Sequence, residues 1–353
     1  MAYRVIQWST GNVGRYALRG IIGHPDLELA GLWVHSTDKA GCDAGELCGL
    51  APTGVLATND AEPLLALDAD CVCYTATADV RPFEALDDLK RILSSGKNVV
   101  SSSLVQLVYP QGGPPELAEP LEAACLTGGA SCFFSGIDPG FANDVLPLLL
   151  SGVCERIEGV RVQEVLNYAT YDQPQVLFET MGFAKPLDHM PILLAPGVLT
   201  LAWGSVVRVI ADGLGIELDE IVEWHEKRPA PETFTVPSGV VDKDTMAGLR
   251  FELRGMAGGK ERVVIEHVTR LRDDIAPEWP APPGKGGYRV LIEGSPSITC
   301  EFTLEGDDGD ENSGGLIVTA MRLVNAIPAV CEAKPGLLSA LDLPLVTGRN
   351  LVH

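Results

Sequence analysis

The stretch VIQWSTGNVGRYALRGI, residues 5–21, joins an apolar run rich in β-formers to a helical pattern through a turn carrying Gly11 and Gly14. This commits the chain to a strand that feeds straight into a helix, the opening unit of a parallel α/β sheet. In such a unit the helix N-terminus presents exposed amides and the positive end of its dipole to a phosphate. Ser9, Thr10, Gly11, Asn12, Val13 and Gly14 make the turn, with Arg15 just behind it. Gly11 lets a pyrophosphate approach the backbone and Gly14 lets the helix pack on its strand, while Ser9 replaces the glycine of the tight turn. Serine is tolerable there if its dihedrals are ordinary, and its hydroxyl and that of Thr10 would add donors to a phosphate. A purely structural glycine turn is the alternative, and the strand before, the helix after and the alternation beyond weigh against it.

That alternation continues to about residue 135. The runs RVIQW, LELAGLWV, CVCYTA, KNVVSS and ASCFFS take turns with helical stretches at 12–22, 81–93 and 115–127. Strands apolar on both faces, separated by helices, read as a doubly wound parallel sheet of the Rossmann kind. From about residue 162 the style changes. GLRFELRG, ERVVIEHVTRL, YRVLIEG and SITCEFTL alternate with period two, Leu249, Phe251 and Leu253 against Arg250, Glu252 and Arg254. These predict an α+β domain with an open, largely antiparallel sheet, one face buried and one polar. Residues 141–222 read as mostly helical, and GLIVTAMRLVNAIPAV, after the acidic EGDDGDENSGG, as a further helix. The expected organisation is a Rossmann dinucleotide-binding domain at 1–140, an α+β substrate-binding and dimerisation domain at 141–315, and a C-terminal helix and tail at 316–353 packing back on the first domain. A half-polar sheet suits self-pairing, so a homodimer is expected.

At 353 residues, with 46% hydrophobic and 21% charged content, the chain can bury a large core. Its 26 Lys and Arg against 48 Asp and Glu give a net charge of −22. That charge repels nucleic acid and anionic membrane surfaces, and no basic run longer than Lys227-Arg228 opposes it. Nine cysteines, irregularly spaced and without C-x-x-C, argue for a reduced compartment and no structural zinc or other metal. Cys71 and Cys73, in DADCVCYTA, read as small hydrophobes of a buried strand. MAYRVIQW enters a strand without the pattern of an export signal, so a cytoplasmic location is expected. The most apolar stretch, 190–203, is broken by Pro191, Pro196 and Gly197 and is shorter than the roughly 20 residues of a spanning helix. It reads as core or as the wall of an apolar substrate pocket.

A site for NAD(H) usually carries an acidic residue at the end of the second strand, to hold the ribose hydroxyls. Here that strand ends LWVHSTDKAG, with His35 and Ser36 at the place. With Lys39 and Arg15 near, a 2′-phosphate meets positive charge and hydroxyl donors, which favours NADP(H). Asp38 keeps NAD(H) open, and a solvated turn is the plainer reading of Lys39.

STGNVGR, HPDLELAGLWVHSTDKAGCDAGELCGLAPTGVLATND, GKNVVSSS, GIDPGF, ETMGF and VNAIPAV together resemble the bacterial family related to the dihydrodipicolinate reductase N-terminal domain, which includes 2,4-diaminopentanoate dehydrogenase and the native amine dehydrogenases. The resemblance spans nearly the whole chain. It implies a Rossmann domain followed by an α+β domain that shapes the substrate pocket and often the dimer contact. It implies hydride transfer from NAD(P)H to a C=N or C=O carbon, or the reverse oxidative deamination. It also implies that the main chain of Thr75, Ala76 and Thr77 lies against the nicotinamide-side ribose. Asp138 would hydrogen-bond the nicotinamide amide or a substrate.

Two departures bear on the chemistry. True dihydrodipicolinate reductases carry a paired-His segment with a Lys and a Ser-Gly-Thr that grip a dicarboxylate; here His189, His225 and His267 stand alone, and lysine biosynthesis is not expected. Where the amine dehydrogenases carry adjacent glutamates before a Tyr-Pro, this chain reads SSSLVQLVYP, with Val105 and Gln106 at those places. An amide accepts no proton at neutral pH, so the usual acid/base group is absent, and reduction of a preformed imine or a carbonyl stays open.

The reacting centre of an open parallel sheet lies beyond the C-terminal ends of its strands. Residues 75–79, 101–106 and 136–141 are therefore the loops of interest, Ser101 and Gln106 among them. Thr75 to Thr77 read equally as a strand-to-helix turn capped by Thr or Asp79, and Asp138 with Pro139 as a capped helix entry. Tyr168, Tyr171 and Asp172 follow a strand and offer a phenol as proton donor, or a core residue with one partner. His267, in register with Val263 and Ile265, points to the buried face, as a core histidine or a catalytic acid. Arg270, on the opposite face, is expected to meet a partner subunit or an acidic neighbour. The sum is an NAD(P)H-dependent oxidoreductase acting on a small to medium hydrophobic amine, imine or ketone. A non-catalytic NADP(H)-binding or sensing homodimer is the alternative, and a scaffold with a closed cofactor site would follow if Ser9 shuts the turn.

Overall fold

Strands apolar on both faces can be buried only between two layers of helices, and the first part of the chain builds such a sandwich. The computed structural model describes residues 2–78, 81–171 and 173–352, so the readings of Asp79 and Asp172 fall outside the described residues. The first elements are β1 (Tyr3–Trp8), α1 (Asn12–Gly23), β2 (Leu27–Trp33), α2 (Ala44–Leu47), β3 (Ala57–Thr58) and α3 (Ala61–Leu65). Then come β4 (Cys71–Tyr74), α4 (Pro82–Ser94), β5 (Asn98–Ser101), α5 (Pro115–Gly128) and β6 (Ser131–Phe134). The second part comprises α6 (Val145–Ser151), β7 (Arg156–Asn167), α7 (Val198–Gly213), β8 (Glu220–Pro229), β9 (Phe234–Val236), β10 (Gly239–Val241), β11 (Met246–Ala257) and β12 (Lys260–Arg270). It closes with β13 (Gly287–Ser295) and β14 (Ile298–Thr303), before α8 (Glu311–Glu332) and β15 (Gly336–Leu338). The chain divides into two compact units, Met1–Phe141 with Leu316–His353, and Ala142–Gly315.

In the first unit seven strands run in the order β15-β6-β5-β4-β1-β2-β3, all parallel. Strand order reverses between β1 and β4, so the opening turn sits at the switch point, where such sheets bind ligands. Successive β1 residues serve opposite cores. Val5 packs with Ala17 and Ile21 of α1 and Leu323, Val324 and Ile327 of α8, and Ile6 with Leu89 and Leu93 of α4 and Leu121 of α5. Helix α8 is, among the described residues, the one helix long and apolar enough to cross a bilayer. Its apolar residues are instead spent on this core, where each fully buried Leu, Val or Ile contributes about 1.5–3 kcal/mol. All nine cysteines are free, and burial pushes the Cys73 thiol up to about 12, in keeping with a packing role.

In the second unit six strands run in the order β14-β13-β7-β12-β11-β8, antiparallel except for the pair β7 and β12. The expectation of a mostly helical 141–222 is corrected by β7, a 12-residue strand in the sheet interior. Its polar residues hid it, yet Val160 and Val162 keep the period of two and pack with Ile265, Phe251 and Leu253 against Val206, Val207 and Ile210 of α7. The other face is polar, with buried carboxylates and partly exposed guanidiniums. Arg161, Arg250 and Arg254 converge there on Glu252 and Glu266, whose side chains are 4% and 1% exposed.

Candidate functional site

The condition of ordinary dihedrals at Ser9 is not met, since its φ is +84°. The residue holds the left-handed conformation that the missing glycine would take, at a cost of about 1–3 kcal/mol. A polar brace keeps it there. Ser9 N donates to Trp33 O (2.9 Å), and the wholly buried Gln7 donates through Nε2 to Ser9 O and to Thr75 Oγ1, both at 2.8 Å. Thr75 Oγ1 in turn donates to Trp8 O (3.0 Å). Ser9→Gly is therefore expected to raise the free energy of unfolding by about 1 kcal/mol in a urea titration with dinucleotide binding retained.

The turn fits a pyrophosphate. A Cβ on Gly14 would lie 2.4 Å from Ser9 O and 2.7 Å from Thr75 Oγ1, so only glycine lets α1 pack here. A Cβ on Gly11 would meet nothing nearer than Ser9 Oγ at 3.9 Å, and no side chain caps α1, which starts at Asn12 and Val13. The approach to the helix N-terminus is open, and Ser9 has not closed it. Lys39 Nζ reaches Thr10 O (3.2 Å) and Thr10 Oγ1 (3.1 Å), bringing a cation from the loop after β2 onto the turn. Arg15 does not join it, since its guanidinium lies 4.8 Å over the ring of Tyr16. His35 is exposed with its ring 6.1 Å from that of Trp33, and Ser36 Oγ accepts from Asp38 N at 3.3 Å.

The loops beyond the strand ends are more structural than expected. Thr75 spends its hydroxyl on the Ser9 brace and its N–H on Trp8 O (3.0 Å), which is a positioning role. Ala76 O accepts from Ser103 Oγ, and Thr77 is exposed. Ser101 is buried, its hydroxyl accepting from Ser103 N at 3.0 Å. Gln106 lies in the short helical turn Val105–Leu107, after Leu104 at φ +49°, and its Oε1 is buried without a hydrogen-bond partner among the described residues. Asp138 is not a helix cap, because α6 starts at Val145 and is capped by Asp144; Asp138 sits in a turn closed by the bridge between Ile137 and Gly140.

In the second unit three of the expected residues gather around one that the sequence reading passed over, Glu164. Tyr288 of β13, Glu164 of β7, His267 of β12 and Phe251 of β11 are direct register neighbours and form a row across the sheet. Tyr288 OH donates to Glu164 Oε2 and Tyr168 OH to Glu164 Oε1, each at 2.7 Å, and His267 Nδ1 lies 3.4 Å from Oε1. Phe251 stacks on His267 at 4.5 Å between centroids, and Trp203 of α7 meets its edge at 4.8 Å. Tyr171 stacks on Tyr168 at 5.0 Å and accepts from Gln173 Nε2 at 2.8 Å. Glu164 and His267 are each 4% exposed. A carboxylate so buried costs several kcal/mol unless its oxygens are met, and each charge-assisted phenol bond returns about 1.5–3 kcal/mol. The outcome is a buried, aromatic-walled carboxylate beside an imidazole, two groups of the kind used for proton transfer. The sequence did hold a signal. Val160, Val162 and Glu164 share the apolar register of β7, as Tyr288, Val290 and Ile292 do in β13.

Turns of this construction, at the switch point of a 3-2-1-4-5-6 sheet, serve enzymes that move hydride with a dinucleotide, and the protein is a nucleotide-binding oxidoreductase. Residues 141–350 match the family described as the 2,4-diaminopentanoate dehydrogenase C-terminal domain. The chain is 46% identical over 346 residues to an amine dehydrogenase of Streptomyces virginiae, covering 96% of each. It is 27% identical over 265 residues to the 2,4-diaminopentanoate dehydrogenase of Acetoanaerobium sticklandii, covering 74% of this chain and 70% of that one. The structure of an amine dehydrogenase from Mycobacterium smegmatis has the same fold, with a TM-score of 0.78 at 20% identity over 98% of this chain and 97% of that one. The chain belongs to the family of amine dehydrogenases and 2,4-diaminopentanoate dehydrogenase.

Proposed function

We propose that the protein is an NADP(H)-dependent oxidoreductase that interconverts a small to medium hydrophobic primary amine with its imine or carbonyl partner, and that Glu164 is its acid/base group. The observation that carries this reading is the buried Glu164 carboxylate, held by two phenols beside His267, in a chain with Val105 and Gln106 where its relatives are expected to carry glutamates. When bound, the nicotinamide donates or accepts the hydride. Everything else falls to side chains. Glu164 takes the proton released as an ammonium becomes an amine, and returns one to nitrogen or oxygen in the reverse direction. Tyr168 and Tyr288 fix both carboxylate oxygens, and His267 shares the proton. Trp203, Phe251 and Tyr171 give these groups an apolar setting that favours hydrophobic substrates and, through their ring faces, an organic cation. Under this reading the first unit binds cofactor, the second binds substrate, and the protein works in the cytoplasm as a homodimer.

Lys39 supports the choice of NADP(H), because its ammonium already lies on the phosphate turn and no carboxylate stands at His35 or Ser36. Titration of the full chain with NADPH and NADH, followed by nicotinamide fluorescence, is expected to give at least about 10-fold tighter NADPH binding, the worth of one charge-assisted phosphate contact. Lys39→Glu is expected to remove that margin. Equal affinities would overturn the NADP(H) assignment, and tight binding without turnover of any amine, imine or ketone would overturn the catalytic one in favour of a sensor.

A further inference from the structure

Arginine is almost never buried without an anion, because a guanidinium stripped of water needs a compensating charge. Arg270, the last residue of β12, is 6% exposed and has no ion-pair partner among the described residues. Its Nε donates to Ile275 O (2.8 Å), and its Nη2 to Ala276 O (3.2 Å) and Pro280 O (3.1 Å). Those bonds explain how the loop at 272–286 is folded back on the sheet. They leave Nη1 with no hydrogen bond among the described residues, and they leave the charge without an ion pair. The expected acidic neighbours are there, since Asp273 and Glu278 attract the guanidinium, but neither pairs with it: Asp273 accepts from Asn167 Nδ2 (2.7 Å) and Glu278 from Arg228 Nε (3.0 Å). Burial pulls the Arg270 guanidinium below its ordinary pKa, and the attraction of Asp273 and Glu278 offsets only part of that.

Beside Arg270 lies a cleft of about 200 Å³. Val165 and Leu166 of β7 line it with Trp279, Pro277 and Pro282 of the loop, and Lys285 stands at its exposed rim. Arg270 pairs in register with Asn167, and Val268 with Val165, so the guanidinium belongs to the face of the sheet opposite Glu164 and His267. Trp279 is buried, its ring 5.7 Å from the guanidinium. Asp273 also lines the cleft, and Lys285 lies 3.5 Å from Glu305 Oε2 at the surface. An otherwise apolar cleft with a buried cation that has no ion pair and a second cation at its mouth has the complementarity of an anion with an apolar tail, one that an accompanying ammonium would suit further.

We propose that this cleft is a second ligand site, separate from the Glu164 site, and that it takes a small organic carboxylate whose apolar tail lies against Trp279 and the prolines while its oxygens reach Arg270 and Lys285. Free carboxylates and amino acids share this chemistry, the latter adding an ammonium for Asp273.

The test is calorimetric titration of the full chain with 3-methylbutanoate, with leucine, and with inorganic phosphate. 3-Methylbutanoate is expected to bind once per chain with a Kd of about 0.1–1 mM, in line with the few heavy atoms it has to offer. Pro282→Trp, which fills the cleft from an exposed position, is expected to abolish binding, and Lys285→Glu to weaken it at least 10-fold; both substitutions are at the surface. Glu164→Gln is expected to leave binding unchanged. Leucine binding more tightly would assign amino acids, and less tightly free carboxylates, either result supporting the site. Absence of binding, indifference to both loop substitutions, loss of binding in Glu164→Gln, or phosphate binding as strongly as the carboxylate would each overturn it.

Discussion

Glu164→Gln is expected to lower kcat for amine oxidation, and for imine or carbonyl reduction, by about 10²–10⁴-fold, with NADPH affinity unchanged. The substitution keeps the shape of the side chain and removes its basicity. It also turns one acceptor oxygen into a donor, so only one of the Tyr168 and Tyr288 hydroxyls can still donate to residue 164 and the other must accept from it. If Glu164 moves the proton, the pH–rate profile loses one limb, which a merely packed carboxylate would not produce. Tyr288→Phe removes one fixing bond while keeping the base, and is expected to cost about 10-fold with the limb retained and shifted. Gln106→Glu, which restores a carboxylate where relatives are expected to have one, is expected to bring no comparable gain while Glu164 is present. A Glu164→Gln enzyme that turns over at the wild-type rate would remove the carboxylate from the mechanism and return the search to the loops of the first unit.

The first unit was legible because its strands are buried on both faces, so β1, β4, β5 and β6 stand out as short apolar runs with helices between them. What escaped there was small. The strand β3 has two residues, and α2 and α3 have four and five, too short for any periodicity to register. The dihedral of Ser9 could not be read either, since it depends on Gln7 and Thr75, the latter 66 residues away. In the second unit, period two located β11 to β14, but β7 was hidden by Arg161 and Gln163 on one face and by Glu164 among the valines of the other. Glu164, His267 and Tyr288 each occupy one apolar-register position of a different strand, and none is unusual alone. Only the sheet order, which sets β13, β7 and β12 side by side, makes them a group. Arg270 teaches the same lesson. Its face was read correctly, yet its partners are the carbonyls of its own loop, five to ten residues onward.

Glu266→Ala is expected to cost the protein about 3 kcal/mol, read from urea unfolding at pH 7, the amount typical of a buried ion pair broken from one side. Glu266 accepts from Arg161 Nη1 (2.7 Å), Arg250 Nε (2.8 Å) and Gln163 Nε2 (2.9 Å) with its own side chain 1% exposed. Truncation leaves a void in the sheet face and two guanidiniums that share Glu252 and otherwise keep only the longer 3.5 Å pairs, Arg161 with Glu261 and Arg250 with Glu226. The arginines remain 28% and 23% exposed, so water recovers part of their loss and keeps the cost at the low end of the range for such pairs. The neighbouring carboxylate sets the response to acid. Burial alone would raise Glu252, but attraction to Arg161 and the bond from Arg254 hold its pKa below the ordinary value. A group depressed in the folded state stabilises the fold above its unfolded pKa of about 4.3, and that stability disappears as pH falls through the folded value. Wild-type stability should therefore fall as the solution is acidified below about pH 4.3, and Glu252→Gln should flatten that dependence while lowering stability at pH 7. A Glu266→Ala protein as stable as wild type would mean that the Arg–Glu face is solvated, and that the order of the second sheet rests on its apolar face alone.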